Sequence, residues 1–103
     1  MAVVVAARLR SAGAGLTREG DGFGCWPCGA ELLIAVVASP QAHPDVPEWE
    51  QHATAAGAGH LLELALWQAG WGAMWRSGLY ANAPEVRAVH GLAEAELLMG
   101  WIY

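Results

Sequence analysis

Apolar and polar positions along this chain change period from segment to segment, and each change marks an element. Leu32-Leu33-Ile34-Ala35-Val36-Val37-Ala38 is a continuous apolar run rich in branched side chains. Such a run reads as a strand buried on both faces, at the centre of a sheet covered by helices. Ser39-Pro40 ends it, because proline cannot continue a ladder. Asp45-Val46-Pro47-Glu48 then announces a helix: the aspartate can cap, proline suits the first turn, and Glu48 stands where a capping box places its acid. From Pro47 to about Ala69 the breakers are Gly57 and Gly59. Trp49, Ala53, Ala56, His60, Leu64 and Trp67 recur at helical spacing and predict one apolar face. Leu61, Leu62, Ala65 and Leu66 widen that face almost all round the second half, the pattern of a helix buried on most sides. Ala55-Ala56-Gly57-Ala58-Gly59 trades bulk for small side chains, at about 1 kcal/mol of helix propensity per glycine. Small residues there let another backbone or a flat ligand come close, and tight packing is the commoner use.

Glycines 70, 72 and 78 bracket the next element. Between them Trp71, Ala73 and Trp75 alternate with Gly72, Met74 and Arg76, the period of a strand. The spacing predicts a buried strand that ends on Arg76-Ser77-Gly78. An arginine in that place is expensive to bury without an anionic partner. A carboxylate of the same chain or a ligand phosphate would serve equally. The stretch therefore reads as a strand end able to hold a planar, anionic ligand. Leu79-Tyr80-Ala81-Asn82 follows as a loop, and Asn82 or Ala83 starts a short helix, Pro84 to His90, stopped by Gly91. Leu97 to Tyr103 is a final apolar strand. The order strand, long helix, strand, short helix, strand is that of an α/β three-layer unit, with the first two strands placed to form a parallel crossover pair.

Composition narrows the setting. With 103 residues the chain is one small domain, yet 55% of it is hydrophobic and it holds six tryptophans. So much apolar surface on so short a chain implies an oligomer or part of a larger domain. Five basic residues, all arginine, against ten acidic ones give a net charge of −5 and no basic patch, which disfavours nucleic acid and anionic membrane as partners. The longest apolar run is too short to cross a bilayer, and Met1 to Ala7 lacks the basic start of a signal peptide. A cytoplasmic location is the default expectation.

Residues 1–30 read as a poorly ordered N-terminal segment, with five glycines between Ser11 and Gly24, and 31–103 as the folded domain. Cys25-Trp26-Pro27-Cys28 has the spacing of a redox pair or of half a zinc site. A strand pattern rather than a helix follows it, and no second ligand pair is in view, so the two cysteines read as incidental. His43, His52, His60 and His90 do not share metal spacing and read as structural or surface residues. Ser77 has no His–Asp pattern around it. No catalytic residue and no metal ligand is assigned.

These elements, taken together, resemble the C-terminal half of the nitroreductase family, from about Glu31 to Tyr103, and within it the small NAD(P)H nitroreductases that use FMN. The resemblance is carried by Leu32 to Ser39, Val46 to Gln51, Ala55 to Gly59, Ala69 to Gly78, Pro84 to Arg87 with Gly91-Leu92, and Leu98 to Tyr103, all in the family's order and spacing. It implies an α+β nitroreductase-like fold, here partial. It also implies an FMN-dependent oxidoreductase that passes hydride from NAD(P)H to a nitroaromatic, quinone or similar small-molecule acceptor, with the flavin at a homodimer interface. Trp75, Arg76 and Ser77 match the segment that contacts FMN. Ala65, Leu66, Trp67, Gln68, Ala69 and Gly70 match the helix end assigned to the nicotinamide nucleotide. The cofactor would carry the redox chemistry, so no protein nucleophile is required. The family opens with a helix bearing an Arg-Arg-Ser segment for the FMN phosphate. Arg8-Leu9-Arg10-Ser11 is similar only in composition, and the family's segment beyond the last strand has no counterpart here. The expectation is a truncated family member; the alternative is a non-catalytic dimerisation or interaction fragment.

Overall fold

Strand β1, Ile34–Ala38, is buried at every residue, as an unbroken run of branched side chains requires. The structure, a computed structural model, describes residues 32–103; the readings of residues 1–30, Cys25 and Cys28 lie outside the described residues. Both faces of β1 are covered. Ile34 and Val36 pack with Ile102, Leu62, Leu66 and Trp75 beneath the long helix, whereas Ala35 and Val37 pack with Leu98, Ala81, Val86 and Trp101 on the opposite side. Val36 and Ile102 are almost wholly removed from water, 0% and 1% exposed. Each contributes on the order of 1.5–3 kcal/mol in that state.

The remaining elements are α1 (Glu48–Gln68), β2 (Trp75–Arg76), α2 (Pro84–His90) and β3 (Leu97–Ile102). They build an α+β unit with a small antiparallel sheet in the order β1-β3-β2. This corrects the expectation of a parallel crossover pair. β1 and β2 do flank a helix, but β3 lies between them and runs antiparallel to each. The C-terminal run completes the centre of the sheet, so the two earlier strands never touch.

β3 accommodates its two neighbours through a bulge. Val36 pairs with Gly100 and Val37 with Leu98, leaving Met99 as the extra residue. The bulge inverts the inside-outside alternation, so Leu98 and Trp101 serve one face while Met99 and Ile102 serve the other. Gly100 takes φ +138°, a conformation that side chains other than hydrogen rarely adopt. Beyond the reach of β2, Asn82 supplies the missing partner. Its Nδ2 donates to the Leu98 carbonyl at 3.0 Å, and its Oδ1 accepts the Leu98 N–H at 2.8 Å.

Three local expectations change. Neither helix start is capped by a side chain: Pro47 and Ala83 occupy the N-cap positions, and Asp45 and Asn82 do not cap. The Asp45 N–H donates to Nδ1 of His43 at 3.2 Å. Gln51, 6% exposed, secures the approach to α1: Oε1 accepts the Gln41 N–H at 2.8 Å, and Nε2 donates to the carbonyls of Gln41 and Val46. Most consequential is the face of α1. The residues turned to the sheet are Gln51, Ala55 and Gly59, followed by the half-buried Leu62 and Leu66. Trp49, Leu64 and Trp67, predicted to define the buried face, are 67%, 53% and 71% exposed. Large side chains cannot fit where the helix lies close on the sheet. A Cβ on Gly59 would stand 3.2 Å from the Trp75 ring and 3.4 Å from Val36.

α2 ends where expected, on Gly91 at φ +63°. Arg87 then holds the turn into β3, donating to the carbonyls of Glu96 (2.7 Å), Ala93 (2.6 Å) and Glu94 (3.2 Å). No helix among the described residues is long and apolar enough to cross a membrane.

Candidate functional site

The alternation from Trp71 to Arg76 becomes a strand only at Trp75 and Arg76. Met74 and Tyr103 exchange both backbone hydrogen bonds, at 2.9 and 3.2 Å. Trp75 therefore faces Ile102 as a non-hydrogen-bonded pair, and its N–H turns outward, away from β3. An outward N–H on an edge strand is ordinarily left to water. Here Oε1 of Glu63, on α1, accepts it at 2.7 Å. The carboxylate makes this a charge-assisted bond. The other oxygen of Glu63 lies 3.2 Å from Nδ1 of His60, whose ring forms a T-shaped pair with the Trp75 indole, at 82° and a centroid distance of 5.4 Å.

The three residues matched to the FMN segment divide in character. The Trp75 ring is turned inward, against Gly59 and Val36. Its Nε1 is buried without a hydrogen-bond partner among the described residues. Arg76 and Ser77 are exposed. This corrects the expectation of a buried arginine: the strand ends at the surface, and the desolvation cost that would force an anionic partner on Arg76 does not arise. A guanidinium and a hydroxyl on consecutive exposed residues remain a donor set suited to phosphate or to the carbonyl-bearing edge of a heterocycle. In that sense the residues present fit a flavin nucleotide.

Ala65 to Gly70 form the last turn of α1 and its exit. Leu66 is half-buried and the others are exposed. Ala69 N–H donates to the carbonyls of Ala65 and Leu66, Gly70 N–H to Trp67, and Trp71 N–H to Leu66, with Gly70 at φ +89°. This turn carries no basic residue. A helix C-terminus is the negative end of the dipole, so this surface offers apolar and aromatic contact rather than phosphate binding. The chain runs directly from it into β2, which places the two sets on one continuous stretch.

Sequence reasoning passed over Glu63. The signal was there: a single carboxylate among Leu61, Leu62, Leu64 and Leu66, in the half of the helix that is otherwise apolar. The histidines serve neighbours. His90 Nε2 accepts the Trp101 indole N–H at 3.0 Å, and His60 joins Glu63.

A long helix laid over a three-stranded antiparallel sheet, with a polar edge at Trp75–Ser77, defines an α+β domain of the nitroreductase kind. The chain belongs to the nitroreductase family, whose model matches residues 4–103. That match reaches further toward the N-terminus than the motifs from Glu31 onward. Among curated proteins, the chain is similar to the putative NAD(P)H nitroreductase YdjA of Escherichia coli strain K12, at 36% identity over 77 residues. The protein of the same name from E. coli O157:H7 matches to the same extent. The aligned region covers 75% of this chain and 42% of either relative, so the chain spans less than half the length of the curated relatives it matches.

Proposed function

We propose that this chain carries the FMN-contacting segment of an NAD(P)H-dependent oxidoreductase of the nitroreductase type, acting as a homodimer on a small-molecule acceptor such as a nitroaromatic or a quinone. The observation that carries the reading is the edge at Trp75-Arg76-Ser77, exposed at Arg76 and Ser77, in a chain of this family. FMN, when bound, supplies the acceptance and release of hydride. The chain's part is to bind and orient: Arg76 and Ser77 donate hydrogen bonds to the nucleotide, and the main chain of Trp75 holds them in place. Ala65 to Gly70 present the apolar surface on which a nicotinamide would lie. The exposed face of α1, with Trp49, Leu64 and Trp67, is what a second copy would cover.

The test is a titration of the purified chain with FMN, followed by flavin fluorescence, and then NAD(P)H oxidation with a quinone acceptor. Saturable quenching that weakens at least about tenfold in Arg76→Ala supports the reading. A chain that takes up no flavin overturns it. The exposed apolar face favours one second reading, an interaction module; association in size-exclusion chromatography without flavin uptake is its signature.

A further inference from the structure

Three anchors converge on the short strand β2. Met74 is held by both of its hydrogen bonds to Tyr103, and Arg76 is opposite Trp101 in the ladder. Trp75, between them, offers its N–H to the other side, where Glu63 takes it at 2.7 Å. Glu63 is only 24% exposed in its side chain. Its second oxygen is engaged by His60, whose ring also packs at 82° against the Trp75 ring. Gly59, one turn earlier on the same helix, leaves room for the outer atoms of that ring beneath α1. So α1 grips one residue by its main chain and by its ring at once, and that residue immediately precedes Arg76 and Ser77.

We propose that Glu63, steadied by His60, is the positioning residue for Trp75–Ser77, and that it sets where the Arg76 and Ser77 donors stand for the bound nucleotide. Without the carboxylate, the outward N–H of Trp75 loses its acceptor, and a two-residue edge strand released there frays and twists. Donor placement tolerates little drift: a displacement on the order of 1 Å lowers the efficiency of a preorganised site by up to about a hundredfold. The carboxylate does not touch the ligand; it acts through the Trp75 amide. The inference rests on the flavin reading above for its second half, and on the main-chain geometry alone for its first.

The experiment compares the full chain with Glu63→Leu, Glu63→Ala and Glu63→Gln by amide hydrogen exchange and by FMN titration. Glutamine keeps a carbonyl oxygen for the Trp75 N–H, whereas leucine and alanine remove it. The expected result is loss of protection at Trp75 relative to Val36 in the leucine and alanine variants. FMN affinity falls at least about tenfold in both, and the glutamine variant restores both readouts. Unchanged Trp75 protection in Glu63→Leu overturns the proposal, as does lost protection with unchanged FMN affinity. Collapse of Val36 protection together with Trp75 in both truncating variants also overturns it, because Glu63 is then a residue of the fold at large. If the parent chain takes up no FMN, the flavin reading fails by itself. The amide at Trp75 then decides the anchoring: selective loss restored by glutamine upholds it, and no change overturns it.

Discussion

Gly100 lies so close beneath β2 that a Cβ at this position would stand 2.5 Å from Nε1 of Trp75, and would press equally on the carbonyl of Arg76. The central strand and the candidate site thus share one contact. Alanine at position 100 meets two penalties: a φ of +138° that a side chain resists, and an overlap with backbone that cannot swing aside. These cost about 1–3 kcal/mol each. Gly100→Ala is therefore expected to lose about 2–6 kcal/mol of stability in urea denaturation. Its tryptophan emission should shift as the Trp75 ring is displaced.

The two glycines in α1 should respond oppositely to the same change. A Cβ on Gly57 meets nothing within 4 Å, so Gly57→Ala collects the helix-propensity gain of about 1 kcal/mol. A Cβ on Gly59 meets the Trp75 ring at 3.2 Å and Val36 at 3.4 Å, and the indole is backed by Gly100. Gly59→Ala should be less stable than Gly57→Ala by at least about 1 kcal/mol. Parallel thermal melts of the two variants check this, and equal midpoints would contradict the close approach of α1 to the sheet.

Asn82 takes the place beside Leu98 that β2 is too short to reach. Its amide satisfies both backbone groups of Leu98, a residue 2% exposed. Asn82→Ala leaves a buried N–H and a buried carbonyl without partners, at an expected cost of about 2–4 kcal/mol. Asn82→Asp keeps the acceptor for the Leu98 N–H but turns a carboxylate oxygen toward the Leu98 carbonyl, so it should not restore the loss. Hydrogen exchange at the Leu98 amide separates the two variants: it is exposed in the alanine form and retained in the aspartate form.

Much of this architecture is legible from pattern alone, and the failures share a cause. The unbroken, branched run around Ile34–Ala38 reads as a strand covered on both sides and is one, and Pro84 with Gly91 delimits α2 to the residue. The strand order could not be read, because pairing is decided between segments distant in sequence, here Ile34 with Ile102. The face of α1 was illegible for a different reason. The periodic apolar face marked by Trp49, Leu64 and Trp67 points to solvent, and the side that meets the sheet is set in the first half by smallness, at Ala55 and Gly59, rather than by bulk. Asp45 and Asn82 look like caps, but Asp45 lies two residues ahead of the N-cap Pro47 and makes no capping bond, and the Asn82 amide is taken by the main chain of Leu98. At the candidate site the exposed pair Arg76-Ser77 was visible as chemistry. The carboxylate that holds their strand was not, since the bond spans 12 residues and uses a main-chain donor.

The outer face of α1 yields the last prediction. Leu64 and Trp67 are 53% and 71% exposed and make no part of either core cluster. A charge placed there costs the isolated fold little, within about 0.5 kcal/mol for a surface position. If a second copy covers this face, the same charge is buried in an apolar interface, where an unpaired carboxylate is strongly unfavourable. Leu64→Glu and Trp67→Glu are thus expected to leave the denaturation midpoint of the monomer nearly unchanged while shifting sedimentation from dimer to monomer. A control at Glu85, exposed on α2 across the sheet from this face, should leave the dimer intact when changed to Gln. Dimers that persist in both α1 variants would move the interface elsewhere on the molecule. The helix would then be left with an exposed apolar face that homodimerisation does not explain.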